Sequence, residues 1–243
     1  TGYLTTVLDN QGNQTATLVA SGSNRKYVTI DEIPINLQHA FVAIEDERFY
    51  DHNGIDLQGI LRAGLKGVAS GFHFSEGAST ITQQLLKNTV FTQWTSEQSM
   101  ADKFERKFQE QYLALQLEKV VDKDWILENY LNAINLGQNT LGVGVASERY
   151  FGKDVSELTL SECAVLAAIT QSPSYYNPIT HPDHNKERRQ KVLNNMLDQG
   201  YISQTEYDEA VADNVYDRIQ VVNVESQDEN CLLYTSPSPR DCS

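Results

Sequence analysis

Three segments carry acids and bases at spacings that could do chemistry. In residues 43–56 (AIEDERFYDHNGID), Phe41, Glu45 and Phe49 recur at i, i+4 and i+8, so on a helix Glu45 shares a stripe with two aromatic rings. A carboxylate desolvated between two rings is expected to have a raised pKa, which suits proton exchange near neutrality. The competing reading is a partly exposed glutamate paired with Arg48. His52 reads as a satisfied structural histidine, and Asp51-His52-Asn53-Gly54 with Asp56 fails the calcium-loop pattern.

Residues 76–88 (EGASTITQQLLKN) place a glycine and hydroxyl residues at the start of a helix. Free backbone N–H groups and a positive dipole end there favour an anion such as phosphate. Thr80, Gln84 and Lys87 fall at i, i+4 and i+7, so one face carries a hydroxyl, an amide and an ammonium; a capped helix with a polar surface is the alternative. In residues 103–119, Arg106 and Lys107 lie one turn before Glu110. Glu110 in turn continues into the stripe of Leu113, Ala114 and Leu117, so its carboxylate points along an apolar face. Ordinary i, i+4 pairing, a few tenths of a kcal/mol, explains the same spacing.

The elements that must position these side chains are mostly helical. Residues 3–8 and 15–20 are β-branched and apolar, and the polar link at 9–13 is turn material, which predicts a hairpin. From Ile33-Pro34 onward the period becomes helical, over 36–50, 57–70, 80–90, 97–121, 123–136, 141–151, 161–170, 185–198 and 204–212. Thr80-Ile81-Thr82-Gln83 has the capping-box pattern, Ser161 precedes an acidic first turn, and Gly137, Gly152 and Gly200 follow periodic segments. The polar stretches 71–77 and 91–98 carry Phe72, Phe74, Phe91 and Trp94. These rings either meet a ligand or membrane surface or fold back on the core.

Thirty-three acids against nineteen Lys and Arg leave a net charge of −14, which argues against a general nucleic-acid binder. The charge is uneven. Much of it lies beyond residue 200, whereas Arg62, Lys66, Lys87, Lys103, Arg106 and Lys107 balance the acids between 60 and 110 and leave room for a local anion site. The longest apolar run, 163–169, is far short of the ~20 residues of a membrane span. Cys163, Cys231 and Cys242 have no metal-ligand spacing. Residues 231–243 are Pro/Ser-rich, and their order is similar to the translation of a transposon-type sequencing adapter. The natural chain is therefore expected to run to about Asn230 and to begin downstream of a removed segment.

Together the segments resemble the peptidoglycan glycosyltransferase family, the transglycosylase domains of class A penicillin-binding proteins and their monofunctional relatives. Its motifs appear in order. They are Glu45-Asp46-x-x-Phe49-x-x-His52-x-Gly54; Gly77-Ala78-Ser79-Thr80-Ile81-Thr82-Gln83-Gln84; and Arg106-Lys107-x-x-Glu110. Tyr130-Leu131-Asn132 with Gly137 and Gly142 follows, then Glu162 to Leu166 running through Pro173 to Tyr176-Asn177-Pro178. Ala78 stands where the family usually has a second glycine, and Gln171 where some relatives carry a lysine.

The resemblance implies a mainly α, lysozyme-like, two-lobed domain over 33–215. A hairpin and linker (1–32) precede it, a linker (216–230) follows, and a foreign tail (231–243) ends the chain. It implies polymerisation of lipid II onto a growing glycan strand with inversion and release of undecaprenyl pyrophosphate. Glu45 is then the general base, and Glu110, the second catalytic residue of the acidic pair, orients the cations or holds a divalent metal near the phosphates. Asp46, Phe49, His52, Ser79, Thr80, Gln83, Gln84, Lys87, Arg106 and Lys107 are the substrate-binding set, with Lys87, Arg106 and Lys107 on the pyrophosphate. No cofactor is obligatory; a divalent cation, magnesium or manganese, would sit on Asp46 and Glu110. The implied place is the outer face of the bacterial cytoplasmic membrane, through an N-terminal anchor, with cell-wall synthesis and division proteins as partners. Two rivals stand beside this reading. A lysozyme-like hydrolase would need a protonated Glu45 and has no evident use for the cations; an inactive cell-wall module would hold its ligand without chemistry.

Overall fold

The computed structural model describes residues 5–8, 14–18, 26–62, 79–90 and 100–221, and their architecture is mainly helical. A hairpin of β1 (Thr5–Leu8) and β2 (Gln14–Leu18) comes first, antiparallel, with Thr5 opposite Leu18 and an irregularity between Val7 and Leu8. The helices follow: α1 (Ile35–Glu45), α2 (Ile81–Thr89), α3 (Met100–Leu117), α4 (Lys123–Ala133) and α5 (Val143–Phe151). The last three are α6 (Leu160–Ile169), α7 (Pro182–Asp198) and α8 (Gln204–Ala212). A helical stretch at 57–62 opens the helix expected over 57–70. The loop aromatics Phe72, Phe74, Phe91 and Trp94 lie outside the described residues, and so does the tail.

The apolar run at 163–169 becomes α6, buried on every side from Ser161 to Ile169. A helix that is apolar all round belongs in the centre of a core, and α6 packs against α1, α5, α7 and α8. It starts one residue before the expected Ser161. Thr159 caps it, accepting from the Glu162 N–H, while the Glu162 carboxylate takes the Thr159 N–H at 2.9 Å. That carboxylate is fully buried and also receives Lys153 Nζ and Arg218 Nε, each at 2.9 Å. Burial alone would raise its pKa, but these donors outweigh it and hold the carboxyl below its ordinary value.

The helices gather in two groups: α2, α3 and α4 pack together, and α1, α6, α7 and α8 form the other set, with α5 touching both. Four helices end differently from their periodicity. α1 stops at Glu45 rather than Tyr50, α3 at Leu117 rather than Val121, α4 at Ala133 where Asn135 bridges Leu141, and α7 begins at Pro182, whose fixed φ suits a first helical turn. Among the described residues, no helix is long and apolar enough to cross a membrane.

Candidate active site

The early end of α1 builds the site. Asp46 makes the last helical bond to Val42 O at 2.9 Å and then turns out of the helix with φ −155° and ψ 73°. Its carboxylate accepts from His52 Nε2 at 2.9 Å and from the Ile81 N–H at the start of α2, also at 2.9 Å. Gly54 N–H donates to His52 Nδ1 (3.2 Å), which leaves the ring proton on Nε2 for Asp46. Gly54 O accepts from Thr80 Oγ1 at 2.8 Å. Gly54 itself has φ +88°, and a Cβ there would lie 2.6 Å from Ala114 O on α3, so only glycine fits. These contacts lock the end of α1 to the start of α2 and the last turn of α3.

Several of the expected substrate-binding residues stand in this strut. Asp46, Phe49, Thr80 and Gln83 are buried, Phe49 completely, with Lys123 Nζ 4.5 Å above its ring. Phe49 is not on the α1 stripe at all; the turn after Asp46 carries it into the core. His52 is the satisfied structural histidine expected. All five sit in this strut or against it, and Gln83 also meets Lys107 of the cation cluster below. The capping box at Thr80 is half formed. Thr80 Oγ1 accepts from Gln83 N–H, but the Gln83 side chain turns away to Gly54 O (3.4 Å) and Lys107 (3.3 Å).

Glu45 stands at the wall of a polar cleft of about 790 Å³ that is also lined by Ser79, Gln84, Gln171, Tyr176 and Arg188. It does not pair with Arg48, which bonds Asp56 instead at 2.5 Å. Gln84 Nε2 donates to Glu45 Oε2 at 2.9 Å, Thr170 Oγ1 donates to Oε1, and Arg188 Nη2 lies 3.6 Å from Oε1. The buried Tyr130 hydroxyl donates to Gln84 Oε1 at 3.3 Å and so orients that amide. The last turn of α1 is held from the other side as well. Ala43 O accepts from both Asn195 Nδ2 (2.9 Å) and Gln199 Nε2 (3.0 Å) of α7, satisfying a carbonyl the helix end leaves free.

A second cluster gathers the expected cations. Arg106 Nη1 bonds Glu110 Oε1, while Lys107 Nζ reaches Glu110 Oε2 (3.2 Å), Ser79 Oγ (2.6 Å) and Gln83 Oε1. Glu110 is 1% exposed, and its two carboxylate oxygens meet these two cations. Lys87 stands exposed in the last turn of α2, one turn beyond Gln84. Asp46 and Glu110 do not fit a divalent cation: His52 and the Ile81 N–H occupy one, Arg106 and Lys107 the other. Among the described residues, no three His, Cys, Asp or Glu gather as a metal site.

Sequence reasoning missed Thr170, Tyr175, Arg188 and Lys191. The signal was on α7, where Arg188, Lys191, Asn195 and Asp198 recur at helical spacing and line the cleft, opposite the buried Arg189, Val192, Leu193 and Met196. Tyr176 carries Arg188 over its ring at 5.1 Å, and Asn185 Nδ2 holds Tyr176 O at 2.8 Å.

The carboxylate on this polar cleft can accept a proton from a bound hydroxyl, and the cation pair tied to the cleft through Ser79 can offer positive charge to an anion. Residues 11–197 match the transglycosylase family, and the chain belongs to it. It is 47% identical over 201 residues to penicillin-binding protein 1F of Bacillus subtilis (strain 168), covering 82% of this chain and 27% of that protein. It is 44% identical over 211 residues to penicillin-binding protein 1A of Clostridium perfringens (strain 13 / Type A), covering 84% and 30%. With penicillin-binding protein 1A of Escherichia coli (strain K12), identity is 47% over 182 residues, covering 75% and 20%. The chain thus spans less than a third of these relatives' length. A crystal structure of penicillin-binding protein 1A from Haemophilus influenzae aligns at TM-score 0.47 and 25% identity, over 87% of this chain and 20% of that one.

Proposed function

We propose that this chain is a peptidoglycan glycosyltransferase that polymerises lipid II into β-1,4 glycan strands. The acceptor's GlcNAc 4-hydroxyl attacks the anomeric carbon of the donor's MurNAc, and the bond to undecaprenyl pyrophosphate breaks. Attack in line on an α-linked donor gives a β product by inversion. Glu45 takes the hydroxyl proton as general base, and Arg106, Lys107 and Lys87 compensate the charge that builds on the leaving pyrophosphate.

The observation that carries this reading is the character of Glu45's neighbours. An amide N–H and a hydroxyl donate to its carboxylate and a guanidinium lies 3.6 Å from it, polar surroundings that suit a group taking a proton from a bound hydroxyl. A hydrolase of the lysozyme type needs the opposite, a protonated acid in an apolar pocket. A carboxylate offers roughly four acceptor sites, and these neighbours leave at least one for a substrate hydroxyl. No step is assigned to a metal. The substrate places the reaction at the outer face of the cytoplasmic membrane, beside the growing strand and the proteins of cell-wall synthesis and division.

Purified lipid II tests the proposal. Glycan strands of increasing length support it, and cleavage of preformed peptidoglycan without strand growth overturns it in favour of the hydrolase.

A further inference from the structure

We propose that Tyr175 is a saccharide-stacking platform at the rim of the cleft, taking the C–H face of a hexopyranose in a β-1,4-linked amino-sugar strand. The proposal rests on the glycan-polymerising reading of the cleft and adds a site where the strand is held. Tyr175 lines the cleft and is 51% exposed, yet its ring is fixed like a core side chain. His184 stacks on it at 4.1 Å between centroids and 15° between planes, and His181 backs His184 at 5.5 Å and 3°. Tyr176 meets Tyr175 edge-on at 4.9 Å and 88°.

The backing rings are themselves tied down. His184 Nδ1 lies 3.3 Å from Tyr175 O, and Thr180 Oγ1 lies 2.9 Å from His181 Nδ1. A pre-ordered aromatic face loses little side-chain freedom when a ligand lands on it, and its electron-rich surface attracts polarised C–H groups. The lining is mostly polar and bears on the ligand class. Gln171, Glu187, Asn195 and Asp198 offer hydrogen-bond partners to ring hydroxyls, whereas Ala43 and Ile44, its aliphatic residues, make too small a wall for an acyl chain. A pyranose, apolar on one face and polar at its edge, matches both features.

The probe is a GlcNAc–MurNAc tetrasaccharide without pyrophosphate, titrated against the chain by NMR. Stacking on Tyr175 predicts saturation transfer from aromatic to sugar protons and upfield shifts of the sugar C–H signals. Tyr175→Ala is expected to weaken binding roughly three- to tenfold, and Tyr175→Phe to preserve it. No binding by the unaltered chain, or equal binding by Tyr175→Ala, overturns the platform. Lipid II polymerisation measured in parallel separates the two readings. Strand growth with Tyr175-independent sugar binding removes the platform and leaves the reaction standing; Tyr175-dependent binding without strand growth does the reverse.

Discussion

The hydroxyl of Tyr130 donates to Gln84 Oε1 at 3.3 Å, and the same amide donates from Nε2 to Glu45 at 2.9 Å. Tyr130 thus decides which end of Gln84 faces the carboxylate. It is completely buried, and burial holds its phenol far above the ordinary range, so it remains a donor at every working pH. Tyr130→Phe frees the amide to turn. The expected result is a loss of about tenfold in kcat for strand growth with KM little changed, read by steady-state kinetics. A double substitution with Gln84→Leu should cost little more than Gln84→Leu alone.

Asp46 and His52 are proposed to act through position and not by touching substrate. Asp46→Ala removes the acceptor for both the His52 ring and the Ile81 N–H. A fall in unfolding free energy of about 2–3 kcal/mol is expected, seen as a lower melting temperature. Glu45→Gln, by contrast, should leave the melting temperature within a few degrees of the unaltered chain.

Gly54→Ala places a Cβ against the Ala114 carbonyl in a backbone region alanine avoids. A destabilisation of about 3 kcal/mol or more is expected in chemical denaturation. Normal stability would show that the contact between the 46–54 turn and α3 is looser than described.

Acid should unfold the chain partly through Glu162. Its folded carboxyl is held below the ordinary value of 4.5, because the bonds from Lys153, the Thr159 N–H and Arg218 outweigh the opposing effect of burial. A depressed carboxyl stabilises above its unfolded pKa, and that contribution is lost as pH falls through the folded one. Asp154, held at about 2 by the Ser156 hydroxyl and N–H and by Lys26, adds to the same acid limb. Glu162→Gln should cost about 3 kcal/mol at pH 7 and flatten the decline in stability below pH 4.5, followed by circular dichroism.

Periodicity was enough to place most helices, because α8 keeps its apolar spacing to both ends and α6 and α7 differ from theirs only in the first or last turn. It failed at α1. The helix stops at Glu45 because Asp46 finds partners on His52 and Ile81, contacts that no local pattern encodes. The motif residues were legible as a set, but their division of labour was not. Phe49 and Thr80 sit beside Glu45 in the motifs yet face the core, whereas Thr170 and Arg188 reach Glu45 from far along the chain. The cation cluster read correctly as a pairing on α3. Its link to Ser79 through Lys107 needed the packing of α2 on α3.

Strand growth from purified lipid II by the Glu45→Gln chain tests the central claim most directly. General-base catalysis typically supplies about 10² to 10⁴ in rate, so a loss of roughly a hundredfold or more is predicted, with lipid II still bound. Strand growth within about threefold of the unaltered chain would contradict Glu45 as the base.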